Sequence, residues 1–141
     1  MQLGLDSRDD RFGLRPIGWV QSSLTDPATA PKQAHEGAPP AWLTFDPAVL
    51  DGLDGLRVGD VVVVLTWLHR ANRAVLVVHP RDDVTNPLQG VFATRSSTRP
   101  NPIGLHEVTI IEIDGARVRV DALEALDGTP VVDVKPVLRR G

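Results

Sequence analysis

IGLHEVTIIEIDGARVRV, residues Ile103 to Val120, joins two β-rich runs through Asp114-Gly115. The first run, Ile103 to Ile113, alternates imperfectly between apolar and polar residues. Asp-Gly supplies the left-handed backbone of a tight hairpin turn, and Ala116 to Val120 returns as the partner. Antiparallel pairing is therefore the local rule.

Upstream, Val58 to Leu68 and Ala74 to His79 read as a further strand pair. The core of the first, DVVVVLTWL, is apolar on both faces, which predicts a central and fully buried strand. Thr129 to Val137 is the last strand candidate. Toward the N-terminus, Leu14 to Val20 reads as the first strand, and Trp42, Leu43 and Phe45 mark a short second one. Pro47 then fits the first turn of a brief helix, PAVLDGL. Twelve prolines and twelve glycines cut the chain into short segments rich in Val, Ile and Leu, the signature of strands and turns. No segment carries helical periodicity over a dozen residues, and no internal repeat is present. The expected fold is mainly β: a single small antiparallel β-barrel domain with little helix and one long proline-rich loop, Ser22 to Pro40. A connection of that length implies binding or disorder.

A chain of 141 residues, 42% hydrophobic, suffices for one sizeable core. The longest apolar run, Val61 to Leu65, is far too short to span a membrane. The N-terminus lacks the apolar stretch of a secretory signal, so the expected compartment is the cytoplasm. The absence of cysteine removes disulfides, thiolate chemistry and the common structural zinc sites. His35, His69, His79 and His106 lie too far apart for a local metal motif, and no metal is expected. The net charge of −3 is unevenly placed: residues 61–107 hold five bases and three acids, against five bases and nine acids before them. Arg70, Arg73, Arg95, Arg99 and the tail Arg139–Arg140 form either a local positive surface or an ordinary solvated face. No G-x-G occurs, which disfavours doubly wound nucleotide-binding folds, and P-loop enzymes are disfavoured likewise.

The chemistry concentrates in GVFATRSSTRPNPIGL, Gly90 to Leu105. Gly90 to Thr94 is strand-like. Beyond it, Pro100 and Pro102 remove backbone donors, fix their own φ and restrict the residues before them, giving a stiff loop. Arg95 and Arg99, with Ser96, Ser97, Thr98 and Asn101, set donors on that frame. They suit a carboxylate, phosphate or ribose; alternatively, the arginines simply pair with surface acids. The second cluster is DGTPVVDVKP, Asp127 to Pro136. Its Asp-Gly-Thr-Pro is a tight turn. Asp133 and Lys135 share one face of an extended chain, where they pair either with each other or with the arginine loop, Asp133 in the second case being a buried carboxylate that orients Arg95 or Arg99. Trp19, Trp42 and Trp67 are expected in the core. His35 and His106 are candidate bases near neutral pH.

Together these two stretches resemble the paired signature of the TsaA-like (YaeB/TrmO) family, with TAPKQ (Thr29 to Gln33) and WLHR (Trp67 to Arg70) at its other ligand-contacting segments. The likeness runs from about Arg15 to Val137. It implies an N-terminal extension over 1–14, a β-barrel domain over 15–137 and a basic tail over 138–141. It further implies a homodimer that binds S-adenosyl-L-methionine and methylates the exocyclic nitrogen of N-threonylcarbamoyl-adenosine beside the anticodon of tRNA. Carried onto matching positions, the cofactor contacts are Pro31, Lys32, Gln33, His69, Arg70, Arg95, Leu105, Asp121, Ala122, Leu123 and Glu124. Arg99, Asn101, Asp127, Asp133 and Lys135 are substrate-side or structural residues, and no catalytic base is assigned. Ser97, Glu124, Val137 and His106 stand where the family usually has proline, aspartate, tyrosine and serine. The alternatives are a module that binds S-adenosylmethionine without turnover and a methyltransferase with a small-molecule acceptor.

Overall fold

The computed structural model describes residues 12–28, 30–31 and 34–138. Most of the N-terminal extension, Thr29, Lys32, Gln33 and the tail arginines lie outside them.

Six antiparallel strands close into a barrel: β1 (Gly18–Gln21), β2 (Ala41–Phe45), β3 (Val61–Trp67), β6 (Ile103–Asp114), β7 (Arg117–Val120) and β8 (Pro130–Pro136). Their order around the wall is β1-β2-β7-β6-β3-β8, and β1 pairs with β8 to shut the ring, which leaves no open edge along the wall. The β6–β7 hairpin turns at Gly115, whose φ of 57° is the left-handed value that Asp-Gly was expected to supply. Asp46 starts a short 3-10 turn, Pro47–Leu53, by accepting a hydrogen bond from the Ala48 amide at 2.9 Å.

Period-two alternation sorts side chains into the interior. Val62 and Val64 of β3, Val108 and Ile110 of β6, Val118 and Val120 of β7, with Leu43, Phe45, Leu123 and Val131, make one continuous core. Two glycines are required by close approach. At Gly18 a Cβ would stand 2.6 Å from the Thr44 carbonyl oxygen, so β1 and β2 need the bare backbone there. Gly104 faces Thr66 across the β3–β6 ladder, and a Cβ would stand 2.3 Å from Thr66 Oγ1 and 2.7 Å from His106 Nε2. Gly104→Ala is accordingly expected to cost about 1–3 kcal/mol of stability, the usual range for overpacking. Urea denaturation checks this, and an unchanged midpoint would contradict it.

Several expectations are corrected. β3 does not pair with 74–79; its neighbours are β6 and β8. The intervening chain makes instead a two-residue ladder, β4 (Val77–Val78) with β5 (Gln89–Gly90), followed by a 3-10 turn at Val91–Ala93 in place of a strand. β3 is central but not fully buried, since Val61, Val63, Leu65 and Trp67 lie on the outer wall. The first strand begins at Gly18 rather than Leu14. The tryptophans are not core: Trp19 is 44% exposed, and Trp42 lies under the guanidinium of Arg117, 4.1 Å from the ring centroid. In a barrel this small the interior suits valine and leucine, while tryptophan covers the outside with arginine stacked upon it.

Candidate functional site

The loop after β5 is braced from within. Arg99 donates to the carbonyls of Ser96 (2.8 Å), Thr94 (2.7 Å) and Val91, so its planar fork is spent on backbone. Arg73 closes the far side, donating to Pro100 O (2.7 Å) and Asn101 Oδ1 (3.2 Å) while stacking 5.0 Å above Trp67. These bonds together with the prolines hold the loop, and they separate the two arginines by role. Arg99 is internal structure. Arg95 is exposed, with one long hydrogen bond to Leu105 O at 3.3 Å.

Beneath Leu105 the inward side chains turn polar. Thr66 Oγ1 lies 2.8 Å from His106 Nε2, and His106 Nδ1 lies 2.6 Å from Glu124 Oε1. The His106 side chain is 5% exposed and that of Glu124 16%. Burial pushes the Glu124 carboxyl up, but the hydrogen bond and charge of His106, its own amide and the charge of Arg95 outweigh burial and hold it below its ordinary 4.5. An ionised carboxylate only accepts, so His106 Nδ1–H donates to Glu124; Nε2 accepts from the Thr66 hydroxyl when the ring is neutral and donates to it when the ring is protonated. The second carboxylate oxygen, Oε2, is buried without a hydrogen-bond partner among the described residues.

The lowered value has a definite pH consequence. The native state binds the Glu124 proton more weakly than the unfolded chain does, so the linked stability is fully present above 4.5 and is lost as pH falls through the lowered value. Between about pH 5 and pH 3 the wild type is expected to lose more stability than Glu124→Gln. Urea midpoints against pH check this; parallel profiles would contradict it.

Arg95, Leu105 and Glu124 thus come together, although they are far apart in sequence. Asp121 and Ala122 line an adjacent surface hollow of about 350 Å³ with His35, Glu107 and Thr109. The Asp121 carboxylate accepts from the Thr109 amide at 3.0 Å. Leu123 is fully buried in the core, so its side chain is not a ligand contact; its amide donates to Pro39 O at 3.0 Å and ties the proline-rich loop to this edge. His69 and Arg70 are exposed in the turn after β3, where the Leu68 amide binds Pro102 O at 2.8 Å. Pro31 is half-buried in the long loop, and Lys32 and Gln33 lie outside the described residues. Asp127 anchors the base of that loop by accepting from the Ser22 amide at 2.9 Å.

Of the two readings of Asp133, the pairing with Lys135 is the one observed, at 3.3 Å on the outer wall, and the orienting role is corrected: the carboxylate also accepts from the Val134 amide and meets neither arginine. Arg99 fills its own acceptor needs from loop carbonyls, so no orienting acid is called for. Sequence reading missed the Thr66–His106–Glu124 link and the brace by Arg73. The one signal for the former is Thr66, a hydroxyl in the inward phase of an otherwise apolar strand. Among the described residues no group of three or more His, Asp or Glu is placed to hold a metal ion, and no helix is long and apolar enough to cross a membrane.

A family model described as the tRNA-methyltransferase O N-terminal domain matches residues 19–140. A probable S-adenosyl-L-methionine-binding protein of Methanothermobacter thermautotrophicus is 41% identical over 128 residues, covering 91% of each chain. An S-adenosyl-L-methionine-binding protein of Archaeoglobus fulgidus is 38% identical over 122 residues, 86% of each. The crystal structure of TrmO from Pseudomonas aeruginosa superposes with a TM-score of 0.71 at 30% identity, covering 91% of this chain and 55% of that one. The chain therefore spans little more than half the length of the solved TrmO chains it matches.

Proposed function

The chain belongs to the family of tRNA-methyltransferase O N-terminal domains, and from that premise we propose that it is an S-adenosylmethionine-dependent methyltransferase acting on tRNA. Its acceptor is the exocyclic nitrogen of N-threonylcarbamoyl-adenosine beside the anticodon. The observation that carries this reading is that Arg95 reaches the Leu105 carbonyl and, through its charge, Glu124, whose second carboxylate oxygen is buried without a hydrogen-bond partner among the described residues.

The residues present suit S-adenosylmethionine, which when bound supplies a methyl group on a positively charged sulfur. Arg95, whose guanidinium makes one long bond to Leu105 O, holds a carboxylate. Glu124 Oε2 receives a hydroxyl or ammonium donor. Leu105, 45% exposed on the outer wall, offers an apolar surface for a flat ring. The braced 94–102 loop holds Arg95, β6 holds Leu105 and His106 holds Glu124, so that orientation and exclusion of water carry the rate without a strong base. Arg70, exposed in the turn after β3, suits RNA phosphate. The work would be done in the cytoplasm.

Calorimetry with S-adenosylmethionine, with and without chelator, is the first test: micromolar binding is expected in both. Transfer of labelled methyl to tRNA from a strain lacking the endogenous activity is the second. Binding without transfer would favour a binding module, the reading suggested by the relatives named as S-adenosyl-L-methionine-binding proteins.

The functional unit in this reading is a symmetric homodimer with a shared pocket. Val84 (78%), Leu88 (61%) and Phe92 (79%), all exposed along the excursion between β3 and β6, are the side chains this reading places against a second copy. Light scattering is expected to give a dimer. Mixing inactive Gln33→Ala with inactive Arg95→Ala is expected to restore part of the activity; a monomer that binds cofactor, or no recovery after subunit exchange, would overturn the shared pocket.

A further inference from the structure

We propose that His106 is a positioning residue for this site: clamped between Thr66 and Glu124 inside the barrel, it turns the Glu124 carboxylate so that Oε2 is held for a hydrogen-bond donor on the bound nucleoside ligand. The inference rests on the reading above and adds to it a residue that does not itself touch ligand. Three observations carry it. The His106 ring is held at both nitrogens, by Thr66 at 2.8 Å and Glu124 at 2.6 Å, so it has no freedom to swing. Room for it is built into its own strand two residues earlier, because glycine at position 104 of β6 is the one residue type that leaves both Thr66 Oγ1 and His106 Nε2 uncrowded. And Oε1 accepts the hydrogen bond from His106 Nδ1–H while Oε2 is buried with no hydrogen-bond partner among the described residues.

A buried carboxylate oxygen without a donor is costly, and a donor arriving with a ligand removes that cost. The imidazole decides which oxygen is left for it. With His106 removed, Glu124 is free to rotate, and its two oxygens become equivalent candidates for Arg95 and for solvent. The thermodynamic signature is a loss of ligand affinity at a residue one bond behind the contact. The donor is an ammonium of the amino-acid part or a ribose hydroxyl.

Two probes separate these sources: S-adenosylhomocysteine carries both groups, and 5′-methylthioadenosine keeps the ribose but lacks the ammonium. His106→Ala is expected to weaken S-adenosylhomocysteine binding about tenfold or more, as loss of a hydrogen bond to a charged group does. An equal loss with 5′-methylthioadenosine assigns Oε2 to the ribose; a loss confined to S-adenosylhomocysteine assigns it to the ammonium. His106→Asn places an amide N–H near the Nδ1 position and is expected to recover most of the affinity, although it forfeits the bond to Thr66 as the alanine variant does. A purely structural histidine would make affinity follow stability, with no rescue by asparagine.

The free protein supplies a readout that needs no ligand. Long-range proton–nitrogen NMR of His106 is expected to show a proton on Nδ1, and Glu124→Gln to shift that resonance. An unprotonated Nδ1, or a folded His106→Ala protein that binds both probes like wild type, overturns the proposal. Absence of binding heat in the wild type overturns the reading of the site instead, while the NMR result still judges the clamp.

Discussion

Leu123→Ala is expected to destabilise the fold by about 2–5 kcal/mol, the range for deleting a fully buried leucine side chain, while leaving ligand affinity per folded molecule unchanged. Leu123 sits within the segment Asp121 to Glu124, where the family resemblance places cofactor contacts. Its side chain nevertheless has no exposed surface and packs among the barrel valines. The wall around it is formed by strands fixed in a closed ring, which relaxes little into a cavity, so the loss belongs in the upper part of that range. What Leu123 offers the site is its amide, which already binds Pro39 O, and alanine keeps it. Urea denaturation and calorimetry on the same preparation check both halves. A cost below about 1 kcal/mol, or a weaker ligand affinity in material shown to be folded, would contradict the assignment.

Arg95→Ala is expected to weaken S-adenosylmethionine binding by about 1.5–3 kcal/mol, roughly ten- to a hundredfold in Kd, with little change in stability. The asymmetry with its neighbour makes this informative. Arg99 donates to three carbonyls of its own loop, so removing it unbraces the frame. Arg95 has one long bond to Leu105 O, and the fold loses little without it. Its charge also helps to keep Glu124 ionised, so the loss on binding combines a missing partner with a weakened acid. Titration of a folded Arg95→Ala protein that binds normally would move the pocket elsewhere.

Much of this was legible along the chain. Alternation from Ile103, the Asp114-Gly115 turn, the apolar run of β3 and the segment from Thr129 all became barrel strands within a few residues of their expected bounds. Pro100 and Pro102 marked a stiff loop. Of the candidate site the resemblance named Arg95, Leu105 and Glu124, and the fold sets Arg95 on the Leu105 carbonyl with its charge acting on Glu124. It also named Leu123, whose side chain is core, and nothing in the local pattern distinguishes an inward leucine from one beside a ligand.

The sequence by itself determined where strands, turns and rigid loops lie, because those follow from side-chain period and from the backbone limits of proline and glycine, both local properties. Only the tertiary structure decided which strands pair, which face of each is dry, and what each charged group meets. β3 lies beside β6 and β8, not beside the segment next to it in sequence, and the same closure turns Trp42 outward beneath Arg117. It also brings Thr66, His106 and Glu124 from three separate segments into one hydrogen-bonded line. Such contacts form only when ring closure buries the valine and leucine faces together, and that free energy belongs to the whole barrel rather than to any stretch of it.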